Sequence, residues 1–197
     1  MMNRRFICVA LFVLIVLSAC EKKENARSSY YPIDSLISSQ VEYLKTSKAV
    51  LTKKAEIDGV EETNSYRPQS DTAWTNELDI FSELKVINNP GNAGRYDVQK
   101  GVKDSNSNLS VDLFTGKGTL PVVYLKTFYL HTPSQIRRIE ALYQEENALV
   151  KGSRLLILEF QRIGSQVMLT SYSIEGSQKM FLGESVKFSI QGTISLP

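Results

Sequence analysis

The chain has 197 residues, 42% of them hydrophobic, with 23 Lys and Arg against 21 Asp and Glu, two Cys and one His. So even a charge balance, with the basic residues scattered, argues against a nucleic-acid partner. One His and two Cys exclude the common zinc sets within one chain, and the length suits one domain.

Met1 to Arg5 carries Arg4 and Arg5 and no acid, and Phe6 to Leu17 is almost wholly apolar. That run is well short of the ~20 residues of a bilayer-spanning helix, and reads as a secretory signal. It ends in Leu17-Ser18-Ala19-Cys20, which resembles the lipobox of bacterial lipoproteins. The resemblance implies cleavage after Ala19 and acyl chains, palmitate among them, on Cys20. Residues 1–19 are then a signal peptide and 20–31 a lipidated Cys with a flexible polar tether. Losing Arg4 and Arg5 leaves 21 basic against 21 acidic residues, so the mature chain is formally neutral. Cys8 leaves with the signal and Cys20 carries lipid, so neither disulfide nor thiol chemistry is expected. Glu21-Lys22-Lys23-Glu24 loosely resembles a surface-export signal of Bacteroidota lipoproteins; a solvated tether is the favoured reading.

From Pro32 the chain reads as a single α+β domain, 32–197. Ile37, Val41 and Leu44 make one helical stripe, with Asp34 or Ser35 as its cap. Ala49–Ile57 and Val60–Tyr66 read as strands joined by the Asp58-Gly59 turn. Trp74, Leu78, Phe81 and Leu84 recur at i, i+4, i+7 and i+10, predicting a helix from Asp71 to Val86, capped by Ser70 or Asp71 and stopped by Asn88-Asn89-Pro90-Gly91. Trp74 and Phe81 are expected as core anchors. Strands are expected at 95–102, 109–113, 121–130, 153–162 and 166–175. The strand at 121–130 is apolar on both faces, which calls for cover twice, by helices on one side and a hydrophobic cavity on the other. Residues 132–147 carry a capping-box pattern that allows a helix; their strand neighbours favour a strand. Tyr172-Ser173-Ile174-Glu175-Gly176 recurs as Phe188-Ser189-Ile190-Gln191-Gly192, as strands ending in Gly turns would. The architecture expected is two N-terminal amphipathic helices packed on a curved, mostly antiparallel sheet, a partial barrel or sandwich-like arrangement. Lipobox, aromatic helix and closing Tyr-x-Ile-x-Gly strand together resemble envelope lipoproteins of Bacteroidota, which implies an address in the outer membrane and no chemistry.

No catalytic constellation is visible. His131, beside Pro133, lacks a nucleophile motif, and a hydrolase built around it is the weakest alternative. Glu61-Glu62 and Glu145-Glu146 are neighbours in strands and should face opposite ways. Asp104-x-Asn106-x-Asn108 begins like a calcium loop, but Leu109 and Thr115 stand where Gly and Glu belong. Gly116-x-Gly118 lacks the rest of a phosphate loop. No metal and no cofactor are expected. Asp34-Ser35-Leu36 and Asp71-Thr72-Ala73 resemble Bacteroidota O-glycosylation sites, with Ser35 and Thr72 the acceptors; helix capping is the simpler role. The leading expectation is a non-enzymatic lipoprotein, held on the membrane by its N-terminal lipid, that binds an apolar ligand or lipid. The alternative is an assembly protein that binds another envelope protein through exposed strand edges.

Overall fold

The computed structural model describes residues 30–197. Residues 1–29, with the signal peptide, Ala19, Cys20 and most of the tether, lie outside the described residues. These comprise helix α1 (Ile33–Thr46), strands β1 (Val50–Ile57) and β2 (Val60–Tyr66), helix α2 (Asp71–Ser82) and its 3-10 continuation (Glu83–Asn88), then β3 (Tyr96–Lys103), β4 (Ser110–Gly116), β5 (Val122–Tyr129), β6 (Ile136–Glu146), β7 (Val150–Ile163), β8 (Gln166–Met180) and β9 (Ser185–Ser195). The nine described strands form one sheet in the order β2-β1-β9-β8-β7-β6-β5-β4-β3. Every neighbouring pair is antiparallel.

The class is α+β, as expected, but the helices do not stand together ahead of the sheet. The β1–β2 hairpin separates them and pairs at the far edge of the same sheet, beside β9. The sheet does not close, so β2 and β3 are both edges. Within 132–147, Ile136–Glu146 is strand, preceded by a short 3-10 turn at Pro133–Gln135. Pro133 opens that turn, where its missing N–H costs nothing. Pairing of β6 with β5 and β7 then overrides the helical signal. The Asp58-Gly59 turn has positive φ at both residues, 49° and 83°, which suits the right-handed twist of a hairpin.

One face of the sheet carries the helices. The α2 stripe of Trp74, Leu78, Phe81 and Leu84 is wholly buried, with Ile33, Ile37 and Leu44 from α1 beside it. The sheet answers with Leu51, Leu125, Ile139, Leu156, Leu158 and Tyr172. Each such side chain contributes roughly 1.5–3 kcal/mol when fully buried. Trp74 and Phe81 are core anchors. Gln40 of α1 is also buried: its Oε1 accepts from the Leu169 N–H (2.7 Å) and its Nε2 donates to the Val167 carbonyl (3.2 Å). It serves the β8 backbone where the β7–β8 register shifts. Neither Asp34 nor Ser35 caps α1, which starts one turn-position earlier after Pro32. Ser70 does cap α2, accepting from the Ala73 N–H at 3.1 Å.

Tyr30 and Tyr31, expected in the tether, pack against the domain. Asn88 clasps this entry, its Oδ1 accepting from the N–H of Tyr30 (2.8 Å) and Tyr31 (3.2 Å) and its Nδ2 donating to the Tyr31 carbonyl (2.6 Å). The Tyr30 ring packs edge-on against Tyr96, 5.1 Å between centroids. The described core draws only on residues from Tyr30 onward.

Strand β5 is covered once, not twice. On the face away from the helices, Tyr124, Lys126 and Phe128 are half-buried without a second layer. Long charged side chains lie over them instead: Lys126 sits 4.8 Å from the Tyr124 ring and Arg138 5.9 Å from the Phe128 ring. Alkyl stems cover the apolar surface while the charges stay wet.

The repeat in β8 and β9 has a different cause from the one expected. Gly176 and Gly192 lie inside strands, not at turns. The strands run antiparallel with Tyr172 opposite Gly192 and Phe188 opposite Gly176. Each aromatic ring lies across the glycine of the other strand, and a Cβ at Gly192 would overlap the Tyr172 ring. Gly192→Ala is therefore expected to destabilise the fold by about 1–3 kcal/mol through overpacking, read by urea denaturation with Trp74 fluorescence. An unchanged midpoint would show that the Tyr172 ring moves without cost.

Candidate functional site

The middle of the helix face is filled by the core. The open space lies towards its margins. The ladder through Tyr143, Arg154, Gly176, Phe188 and Ile57 marks one row across β6, β7, β8, β9 and β1. Beyond it β6 to β9 run on to their hairpin ends. By strand alternation, Ile57, Val60, Val186 and Phe188 share the helix face. Ile57 is 51% and Val60 74% exposed, while Phe188 and Ile190 are half-buried against the core margin. Neither helix covers this apolar strip. Beside it on β1 and β2, an open cleft of about 420 Å³ is lined by Lys53, Ala55, Glu62, Asn64 and Tyr66.

Glu77 of α2 closes the inner end of this cleft. Its carboxylate is 9% exposed and accepts from Lys53 Nζ (2.8 Å), Tyr66 Oη (3.1 Å) and Tyr172 Oη. Burial alone pushes the Glu77 carboxyl up; hydrogen bonds from Lys53, Tyr172 and Tyr66, with the Lys53 charge, outweigh it and hold the carboxyl below the ordinary Glu range. Burial raises the Tyr172 hydroxyl, and its bond to Glu77 raises it further. The shifts of both partners agree on a carboxylate held charged by neutral phenols and a lysine. That set fastens α2 to β1, β2 and β8, and leaves the carboxylate committed rather than poised as a base. Sequence reasoning missed Glu77, although its position three residues after Trp74 and four before Phe81 puts it on the buried stripe.

A larger cleft, about 850 Å³, opens where β6 to β8 outrun β5, and is lined by Glu83, Leu120, Tyr143, Glu145, Lys151 and Lys179 among others. Its carboxylates are paired with basic side chains. Arg154 Nη2 stands 3.3 Å from Glu83 and 3.5 Å from Glu145, and its guanidinium lies 5.0 Å from the Tyr143 ring. Lys151 meets Glu146 at 3.1 Å. Glu145 and Glu146 thus turn to different partners on opposite faces, as expected, and Glu61 likewise pairs with Lys54 while Glu62 lines the smaller cleft. Both clefts exceed the ~300 Å³ of small ligand pockets, yet only the smaller adjoins an apolar strip.

The remaining expected residues are scattered. His131 is exposed in the β5–β6 connection and lines neither cleft. The Asp104 carboxylate accepts from Ser107 Oγ at 2.6 Å, closing its own turn. Among the described residues, no three His, Cys, Asp or Glu side chains are grouped to hold a metal ion. Ser35 and Thr72 are exposed on the first turns of α1 and α2. A second buried carboxylate, Asp112, accepts from the Gly101 N–H and Tyr129 Oη, both at 2.8 Å. It anchors the β3 bulge, where Gly101 has φ +66°. Burial and the Asp112 charge push the nearby Tyr31 hydroxyl up to about 12.

No described helix is long and apolar enough to cross a membrane. Compared with protein families, curated proteins and solved structures, the chain matches none. The fold and its margin define an α+β domain with an open antiparallel sheet and an uncovered apolar strip.

Glu77→Gln is expected to cost about 1–3 kcal/mol at neutral pH, the scale of breaking a charge-assisted buried hydrogen-bond set. Because the folded carboxyl is depressed, its contribution is full above the ordinary Glu range and lost as pH falls through the folded value. Urea midpoints of wild type and variant should therefore converge as pH is lowered through that range. A gap independent of pH would assign the loss to packing alone.

Proposed function

We propose that the protein is a non-enzymatic, lipid-anchored envelope lipoprotein, most consistent with an outer-membrane address, whose domain binds an apolar ligand or lipid. The observation that carries the binding part is the uncovered strip of Ile57, Val60, Val186, Phe188 and Ile190 beside the smaller cleft. A large exposed apolar surface on a soluble face is costly unless something covers it. A nine-stranded sheet twists, and wrapping it as a partial barrel around the strip gives an acyl chain a trough to lie in. The N-terminal signal and the Leu17-Ser18-Ala19-Cys20 motif support the anchor on Cys20. Exposure of Ser35 and Thr72 supports their use as O-glycosylation acceptors on an exported chain. The Glu77 carboxylate, committed to Lys53, Tyr66 and Tyr172, and His131, which lines neither cleft, leave little for a hydrolase to work with.

Native mass spectrometry of the protein released from its own membrane tests this directly. The expected masses are an acylated Cys20 and a co-purified lipid, the lipid being lost in Ile57→Glu and Val60→Glu. Both sites are exposed, so these variants should fold. An unacylated Cys20 would remove the anchor, and a lipid-free wild type would remove the ligand.

A second reading has one observation in its favour. Edge strand β3 is protected by a bulge with Lys100 and Lys103 around it, whereas all seven residues of β2 are exposed and carry neither bulge, Pro nor Lys. An edge left so is open to strand addition by an envelope partner. A photocrosslinker at Thr63 should then trap one defined protein in intact cells. Absence of a discrete adduct counts against it.

A further inference from the structure

A second group of exposed large apolar side chains lies outside the strip and includes the most exposed of all, Leu182. They sit on two adjacent hairpin ends. Leu182 is 93%, Phe181 73%, Leu149 66% and Met180 51% exposed. The β6–β7 and β8–β9 ends are joined, since Met180 pairs with Val150 and the Phe181 N–H donates to the Leu149 carbonyl at 2.8 Å. They form one apolar knuckle that no part of the core requires. Lys151 and Lys179 flank it, with Lys151 held by Glu146, and Glu184 follows Leu182 in the same turn.

The position of the knuckle is informative. The ladder row that ends at Gly176 and Phe188 continues across the sheet to Tyr143, Val122 and, through β4, to the Gly116–Tyr96 pair. Tyr30, the first described residue, packs on Tyr96. The chain therefore enters the domain at the same end of the sheet as the knuckle. From Gly176 to Phe181 the strand advances roughly 17 Å beyond that row. The ten Cα–Cα steps from Cys20 to Tyr30 span at most about 36 Å. A domain tethered at Cys20 can thus lower this end onto the surface that holds the lipid with far less of the tether extended than the β7–β8 turn at Gly164 would need.

We infer that the Leu149 and Met180-Phe181-Leu182 knuckle dips into the lipid surface at the headgroup–acyl boundary, with its lysines towards anionic headgroups, and so sets the orientation of the domain on the membrane. Exposed Phe and Leu at a tip flanked by Lys151 and Lys179 match the chemistry of that boundary. The orientation argument rests on the anchored reading above; the contact with lipid does not.

Two measurements separate them. The first uses the chain begun at residue 20 with Cys20→Ser, which retains every described core residue and carries no lipid. It is mixed with phosphatidylethanolamine–phosphatidylglycerol vesicles and floated. Weak binding is expected, reduced about tenfold or more in Phe181→Ser/Leu182→Ser. No binding by the unsubstituted chain, or equal binding by the pair variant, overturns the inference. A concentration-dependent dimer abolished by the pair variant, with no vesicle binding, assigns the knuckle to a second copy and also overturns it. The second uses the acylated protein in the same vesicles, with an environment-sensitive dye on Leu182→Cys or Ser165→Cys. Spin-labelled lipid should quench the dye at 182 and not at 165; equal quenching overturns the orientation. Failure of the unsubstituted acylated protein to float reports on the anchor, and leaves the first measurement to decide the lipid contact.

Discussion

Everything in this domain depends on burying the Trp74–Leu78–Phe81–Leu84 stripe against the middle of the sheet. The stripe does more than fill a core. It carries the chain from β2 at one edge to β3 at the other. Nine strands about 4.8 Å apart span roughly 38 Å if laid flat. The twelve α-helical and six 3-10 residues from Asp71 to Asn88 reach roughly 30 Å, and the flanking segments supply the remainder. Once that crossing is made, seven strands return by short antiparallel hairpins, each pairing with the last, until β9 meets β1. A connection that failed to cross would leave the β1–β2 hairpin without β9 beside it.

Polar groups then hold this packing in one arrangement. Gln40 completes the backbone at the β7–β8 register shift, Asn88 clasps the entering chain, Asp112 ties the β3 bulge, and Glu77 gathers Lys53, Tyr66 and Tyr172 around α2. Each is buried or half-buried and hydrogen-bonded, so each specifies geometry at low net cost. The Tyr172–Gly192 pair connects two of these levels. The missing Cβ lets the ring lie flat across β9, and that placement brings its hydroxyl to Glu77.

The apolar residues that this packing leaves out are concentrated at one end of the sheet. The strip near Ile57 and Phe188 and the knuckle near Phe181 lie beyond the helices because β6 to β9 are longer than the layer that covers them. Strand length, rather than composition, therefore separates the structural part of the domain from the part open to a ligand or a surface. The charged pairs in the larger cleft keep that region wet, leaving the apolar character to the strip and the tips.

Local patterns determined much of this. The spacing of Trp74, Leu78, Phe81 and Leu84, the Asp58-Gly59 turn, the Ser70 cap and the alternation of the later strands are legible because they follow from neighbours a few residues apart. The opposed directions of Glu145 and Glu146 follow from the strand period of two. The apolar run ending in Leu17-Ser18-Ala19-Cys20 is likewise read from the sequence alone. What needed the tertiary structure involves long separations. Gln40 bonds residue 169, Tyr30 meets residue 88, and Glu77 meets Lys53 and Tyr172. The helical signal at 132–135 yields because β6 has strands on both sides. The Tyr–Gly repeat reads as two strand ends in sequence and becomes two crossed aromatic–glycine pairs only when β8 and β9 lie antiparallel. Periodicity encodes which face is buried, but which distant group occupies that face is decided by chain crossing and register, and no local pattern contains them.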